Sequence, residues 1–445
     1  ITITINNVEQ DGGSPAVGVG MYAVQGHLLA NAYGNNSVGN ITITSSGISY
    51  GNGIDLYGKR VWLGSAYNAY GEGATGYITI NGNGNGIIGG EGLDGVHDGR
   101  LSNADNGAKG YITINGLGRG MSCGSSDSKY KNNGYCFNGS NGGYGYITIN
   151  VPENAESFSQ EDLPSDFPFE AVGILSGHNG SPSLGVGTIK ITNNSDKSVV
   201  GVYNGNNYAN STITITSKAK QPEEIDNEKL YGTFGIYRDD DKVSNYGKID
   251  ITATGSANAY GIYTKDIVAI NEKGGSITLD TDSSVVHGIY GNKSIYNNGS
   301  ITVNQSYFKD SYIQSGIYLE ENENSNGVET VYNKGNISLR MPSNVTVPDY
   351  NIPFSASGYG IYSTGNVQNS GNIDIANGTL ASSAYGIFSK IPNQSTNTGR
   401  ITVKGGANYG LVNVNNGVGG YISLAPTYFK DNNGLDEARG TGMAS

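Results

Sequence analysis

The chain has 445 residues, 70 of them glycine and 32 tyrosine, with 11 prolines, one tryptophan and only 14% charged residues. Glycine at roughly twice its usual share sets it apart from ordinary globular domains, while recurrent Ile, Val, Thr and Tyr set it apart from disordered chains and favour strands. Lys and Arg total 26 against 38 Asp and Glu, a formal charge of −12, which disfavours nucleic acid and anionic membranes because both are held by basic patches.

No run approaches the ~20 apolar residues of a membrane span, and no stretch carries the period of a long amphipathic helix. The expectation is an all-β protein that does not itself insert into a membrane. The chain opens inside a strand pattern, Ile1-Thr2-Ile3-Thr4. With no signal peptide or initiator Met ahead of it, it reads as a piece trimmed from something longer.

That opening phrase is the first copy of a repeat. Ile-x-Ile, with Leu or Val as variants of the second Ile, recurs at Ile1, Ile41, Ile78, Ile112, Ile147, Ile189, Ile213, Ile249, Ile277, Ile301, Ile337, Ile373, Ile401 and Ile422. From the middle of the chain onward the preceding turn reads Asn-x-Gly, as at Asn245-Tyr246-Gly247, Asn297-Asn298-Gly299, Asn333-Lys334-Gly335, Asn369-Ser370-Gly371 and Asn397-Thr398-Gly399. Asn and Gly tolerate the left-handed backbone of tight corners. Asn amides stacked from turn to turn would bond to one another and account for the residue without a ligand.

A second phrase, Gly-Ile-Tyr or a close variant, alternates with the first at Gly201, Gly235, Gly261, Gly288, Gly316, Gly360, Gly386 and Gly410. In the regular part it returns every 24 to 28 residues, the length of one coil of a three-sided parallel β-helix. The 44 residues from Gly316 to Gly360 fit a coil with insertions or an extra coil. Alternation turns Ile78 and Ile80 to one side and Thr79 to the other. One coil cannot bury its Ile face alone, whereas coils stacked about 4.8 Å apart build a continuous apolar column, and fourteen would span on the order of 70 Å. The reading is a right-handed parallel β-helix over residues 1–445, with a sandwich or barrel as the alternative.

Within Gly-Ile-Tyr the Ile is expected to point inward and the aromatic outward. Tyr203, Tyr237, Tyr263, Tyr290, Tyr318 and Tyr362, with Phe388, would then stack along one outer face, either stiffening the molecule or offering a platform for sugars. Insertions are expected near 118–142, 151–170, 217–231, 306–329 and 341–357. The second holds Glu153, Glu156, Glu161, Asp162, Asp166 and Glu170, and segments projecting from a rigid scaffold commonly carry binding surfaces. Cys123 and Cys136 stand in the first. A disulfide there would close a loop of about 14 residues worth roughly 3 kcal/mol and would suit an exported protein; the other reading is two unrelated thiols. Tyr130, Tyr135 and Phe137 are contact candidates on that segment, as Glu161 and Asp162 are on the next.

Little points to catalysis. Gly-Asp-Ser-Gly is missing. The four histidines, His27, His97, His178 and His287, are scattered as surface or corner residues without zinc-binding spacing. Gly82 to Gly90 reads as corner and loop rather than a phosphate cradle. Asp239, Asp240 and Asp241 after Arg238 form the one compact acidic triplet, which reads as a solvated loop because consecutive extended side chains diverge. A polysaccharide-acting β-helix enzyme would need clustered carboxylates on an outer face, and no cofactor or metal is expected.

Tandem Asn-x-Gly-x-Ile-x-Ile followed by Tyr-Gly-Ile-Tyr resembles the passenger domains of type V autotransporters. The repeat style is that of the large fusobacterial and campylobacter-like adhesins and, more loosely, of vacuolating-toxin-type passengers. The resemblance spans nearly the whole chain. It implies a bacterial surface-displayed or secreted adhesin whose partner is a host-cell surface protein or glycan, or a neighbouring bacterial cell. It also implies a parent chain with a C-terminal outer-membrane barrel. A shed toxin or host-signalling fragment is the alternative it leaves.

Overall fold

The computed structural model describes all residues except 6–16, 24–27, 46–49, 57–64, 90–99, 124–134, 156–168, 221–229, 240, 256, 307–310, 322–327, 343–354, 378–381, 393, 406, 426–428, 431–435, 438–439 and 445. The chain divides into two compact units, Ile1–Asp240 and Asp241–Ser445. Each is a three-faced parallel β-helix.

In the first unit the Ile-x-Ile phrases form the first face. Its strands are Thr2–Ile5, Val38–Ser45, Thr75–Asn81, Lys109–Asn115, Tyr144–Val151, Val186–Asn193 and Thr212–Ser217. Each pairs in parallel with the next, and the register sets like on like: Ile41 on Ile78, Ile78 on Ile112, Ile112 on Ile147, then Ile189 and Ile213. These Ile residues are buried, as is the second column from Ile43 to Ile215. Full burial of one such side chain stabilises by about 1.5–3 kcal/mol. A slip of one residue would turn the whole column to solvent.

The second face runs Val17–Ala23, Tyr50–Leu56, Asn83–Gly89, Gly118–Ser122, Ala171–Leu175, Val199–Tyr203 and Gly232–Arg238. It faces the first across a narrow interior, which explains its glycines. A Cβ on Gly201 would lie 2.5 Å from Ile213 Cγ2 and 2.7 Å from the Gly235 carbonyl oxygen. Glycine is needed there for space, because Ile packs against bare backbone. The third face, Leu28–Tyr33, Ser65–Tyr70, Arg100–Asp105 and Tyr135–Phe137, is carried on by single bridges from Phe137 to His178 and from Asn179 to Asn207.

The second unit repeats the plan with shorter corners. Its first face runs Lys248–Ala253, Ser276–Thr281, Ser300–Gln305, Asn336–Arg340, Asn372–Asn377, Arg400–Gly405 and Tyr421–Ala425. Its second face holds the Gly-Ile-Tyr copies from Asn258–Thr264 to Ala407–Val412, followed by Gly440–Ala444. Its third face is seven short strands from Val243–Asn245 to Val414–Asn416.

One open alternative is decided and two expectations change. Ser311–Leu319 pairs directly with Ser355–Ser363, so the 44-residue interval is one coil with insertions and contains no extra coil. Asn83–Gly89 is a strand of the second face, not corner and loop: its glycines make room for Ile112 and for the neighbouring backbone. The insertions are also narrower than expected, since 118–142 contains the strands Gly118–Ser122 and Tyr135–Phe137, and 306–329 contains Ser311–Leu319.

Candidate binding surfaces

Aromatic columns form where Gly-Ile-Tyr repeats in register. In the second unit Tyr263 stacks on Tyr290 at 4.8 Å, Tyr290 on Tyr318 at 5.6 Å, Tyr318 on Tyr362 at 4.4 Å and Tyr362 on Phe388 at 5.4 Å. In the first unit Tyr203 stacks on Tyr237 at 4.9 Å. The rings are near parallel, and within each column neighbouring rings cover one another's faces. Tyr203, Tyr237 and Tyr263 are buried, and Tyr290, Tyr318 and Tyr362 half-buried. Burial pushes the hydroxyls of Tyr263, Tyr290 and Tyr318 well above their ordinary range. These columns therefore stiffen the coil stack. A sugar would meet ring edges rather than the open faces that stacking recognition uses.

Two further columns lie elsewhere. Tyr77, Tyr111 and Tyr146 stack at 5.1 and 4.8 Å on the outer side of the first face. Tyr359, Tyr385 and Tyr409 form another column at 4.9 and 4.7 Å, three residues before the Tyr362 position.

Asn amides run through each unit as a directed chain. In the second unit the Nδ2 of Asn245 donates to Asn271 Oδ1, Asn271 to Asn297, Asn297 to Asn333, Asn333 to Asn369, Asn369 to Asn397 and Asn397 to Asn416, all at 2.7–2.9 Å. In the first unit Asn31, Asn68, Asn103, Asn138, Asn179 and Asn207 are linked the same way at 2.9–3.0 Å. The buried asparagines bond to each other and to backbone, which leaves them no role toward a ligand.

His287 departs from its expected surface place. It is 3% exposed within the strand Val285–Gly291. Its Nδ1 lies 2.7 Å from Ser315 Oγ, and its ring packs 4.7–5.6 Å from those of Tyr318, Tyr260 and Tyr290. Burial drives its pKa down to about 3, so the imidazole is neutral. His178 packs against Phe137 at 5.5 Å and its Nδ1 accepts from the Asn206 N–H. His27 and His97 lie outside the described residues.

Cys123 and Cys136 are joined as a disulfide with Cα atoms 6.2 Å apart, and both are buried. The staple closes the root of segment 124–134: Cys123 N–H donates to Leu175 O, and Cys136 O accepts from His178 N–H. Phe137 is buried beside His178 and so is no surface contact. Tyr135 contributes backbone pairing with Arg100, and Tyr130 lies outside the described residues. So do Glu161 and Asp162, but the root of their insertion is firm. Phe169 re-enters the coil edge-on to Phe234 at 5.0 Å and Tyr237 at 5.5 Å, and Glu170 pairs with Lys197 at 3.6 Å.

Of the acidic triplet, Asp239 accepts the Tyr203 hydroxyl at 3.3 Å and Asp241 the Lys242 N–H at 2.7 Å; Asp240 lies outside the described residues. Among the described residues no three His, Cys, Asp or Glu side chains gather as metal ligands would.

Two of the concavities lined by described residues lie on the outer surface. One of about 400 Å³ in the first unit is lined by Lys197, Lys218 and Lys220 beside Glu153 and Asp196. The other, of about 720 Å³, runs along the outer first face of the second unit and includes Asp280, Asn304, Arg340, Asp374 and Lys404. Asp280 pairs with Asn304, Asn304 with Arg340, and Arg340 with Ala376. Asp374 therefore stands three strand spacings from Asp280, roughly 14 Å. Glycoside-hydrolysing carboxylate pairs sit ~5–9.5 Å apart, so these two do not suit that chemistry. Sequence reasoning passed over Arg340 and Lys404 because outward positions follow no repeat.

No family model matches the chain, and no curated protein or solved structure matches it.

Proposed function

We propose that the chain is a non-enzymatic passenger of the autotransporter type, carried on the bacterial surface or secreted, that acts as an adhesin or cell-interaction module. Its partners would be a host-cell surface protein or glycan, or neighbouring bacterial cells. Its parent would carry the C-terminal outer-membrane barrel that the repeat style implies.

The observation that carries this reading is how the insertions are rooted. Segment 124–134 is bounded by two buried, disulfide-linked cysteines. Segment 156–168 is bounded by the turn closed by Ala155 N–H on Pro152 O and by buried Phe169. A ladder-locked scaffold that fixes where variable segments emerge is the usual construction of a binding surface, and spreading contact over several segments favours avidity over a single deep pocket.

The test is binding of the labelled chain to host epithelial cells, beside one variant with 156–168 replaced by a short Gly-Ser linker and another carrying Cys123→Ser and Cys136→Ser. Saturable binding that falls several-fold in either variant is expected. Binding by none of the three, or equal binding by all, would contradict the proposal.

A further inference from the structure

The corner Asn297-Asn298-Gly299 differs from its counterparts by one residue. The other Asn-x-Gly corners carry Tyr246, Lys334, Ser370 and Thr398 before the glycine, and only this one sets an asparagine directly against it. The glycine is fixed by the fold: a Cβ on Gly299 would lie 2.1 Å from Gly275 O and 2.7 Å from Asn271 Nδ2, so only bare backbone fits. Asn298 is half-buried, and its backbone N–H donates to Asn271 O at 2.8 Å. Its side-chain amide and the Gly299 N–H have no hydrogen-bond partner among the described residues.

Every other Asn-Gly pair among the described residues is held. Those at Asn52, Asn85, Asn138, Asn179 and Asn204 are buried. Asn115 Nδ2 donates to Asn81 Oδ1 at 2.9 Å, and Asn83 Oδ1 accepts the Leu117 N–H at 2.9 Å. Asn106 and Asn141 are more exposed than Asn298, yet the Gly107 N–H donates to Asn141 O at 3.3 Å and Asn141 Nδ2 to Asp105 Oδ1 at 3.0 Å. Asn416 Nδ2 donates to Gly420 O at 3.0 Å and the Gly417 N–H to Asn397 O at 2.8 Å. The pairs at Asn133, Asn326, Asn377 and Asn433 fall wholly or partly outside the described residues.

We infer that Asn298 is a deamidation site, the most reactive of the described Asn-Gly pairs. The Gly299 nitrogen attacks Asn298 Cγ, the new C–N bond closes a succinimide ring, and the Cγ–Nδ2 bond breaks. The leaving amide takes the Gly299 proton and departs as ammonia. Water then opens the ring at either carbonyl, which leaves aspartate or isoaspartate at 298. Glycine puts no side chain in the path of the attack, and neither reacting group has a hydrogen bond to release first. The aspartate product adds a carboxylate beside Lys334: Asn297 pairs with Asn333 and Ser300 with Asn336, so position 298 stacks on Lys334. Lys334 is exposed and in no ion pair among the described residues. Isoaspartate does more, because it routes the chain through the side-chain carbon. It thereby lengthens the corner between Asn297, a link of the buried amide chain, and the strand Ser300–Gln305. The inference is independent of the adhesin reading.

The test incubates the full chain at physiological temperature in mildly alkaline buffer, with and without denaturing urea. Each Asn-Gly peptide is followed by mass spectrometry, and isoaspartate is scored by enzymatic carboxyl methylation. In the folded chain Asn298 is expected to convert about fivefold or more faster than Asn106 and Asn141, the factor that one net hydrogen bond withholds. In urea the three rates should converge, since the dipeptide is the same. Asn298→Ser, which copies Ser370 of another coil, should remove the fast product and keep the unfolding midpoint. Asn298→Asp should also keep it, whereas aged chains rich in isoaspartate at 298 should unfold at lower urea. The inference fails if no product forms at 298, or if Asn106 or Asn141 converts as fast in the folded chain. It fails equally if urea leaves the ranking unchanged, because local sequence and not the fold would then set it. An unchanged midpoint in the aged chains would overturn the effect assigned to the lengthened corner.

Discussion

His287 takes the position that Tyr260, Tyr359, Tyr385 and Tyr409 hold in other coils, with Ser315 beside it. The groups packed around it are Ser315 and the rings of Tyr260, Tyr290 and Tyr318. Burial pushes the Tyr260 hydroxyl upward, so it stays neutral and offers no charge to stabilise an imidazolium. The His287 pKa of about 3 lies below the ~6.5 of an unfolded chain. The unfolded state therefore binds the extra proton first, and stability falls as pH drops below about 6.5, with the whole penalty reached near pH 3. The wild-type chain should lose roughly 2–3 kcal/mol from this residue between pH 6.5 and 4.5. Urea unfolding midpoints for wild type and His287→Gln at those two pH values check it. The variant should lose visibly less on acidification, and equal losses would show that His287 is already protonated or exposed.

At the scale of the strand and corner, the buried amide chain is the element most open to test. Asn297→Ala removes the donor to buried Asn333 Oδ1 and leaves Asn271 Nδ2 with only the Ser300 carbonyl, at a cost of about 1–3 kcal/mol. Asn372→Ala breaks an equally short but exposed bond to Asn336, at 2.9 Å, and should stay within about 0.5 kcal/mol of wild type. Denaturant midpoints for the two variants separate ladder from decoration, and equal effects would contradict the role given to the buried chain. How far these elements could be read from sequence depends on spacing. In the second unit Asn stands two residues before Gly at nearly every corner, so the ladder was legible. In the first unit Asn68 is eight residues from Gly76 and Asn103 seven from Gly110, because Tyr70–Ala74 and Asp105–Ala108 make longer turns. The ladder there left no fixed phrase to find. His287 did leave one, since His287-Gly288-Ile289-Tyr290 copies Tyr260-Gly261-Ile262-Tyr263. Reading histidines by their scatter, without aligning them to the repeat, missed its burial.

For the molecule as a whole, each unit is stabilised coil upon coil, so its stability approximates a sum of similar nearest-neighbour terms. The inward pattern made that architecture legible: Ile for the first face, Gly then Ile for the second, and Asn for the corner. The outward pattern was not legible in the same way, because solvent-facing positions are constrained only by what they meet. The groove at Arg340 and Lys404 emerges only once the register aligns residues 64 apart in sequence. The proposed binding role depends on what the ladders hold outward, and so on the ladders themselves. The most direct measurement is amide hydrogen exchange across the full chain, read by mass spectrometry on peptides from both units. The slowest exchange is expected in first-face strands such as Lys109–Asn115, Tyr144–Val151, Ser276–Thr281 and Ser300–Gln305, with their paired neighbours protected alongside. Rapid exchange through those strands would contradict the coiled architecture and every surface assigned to it.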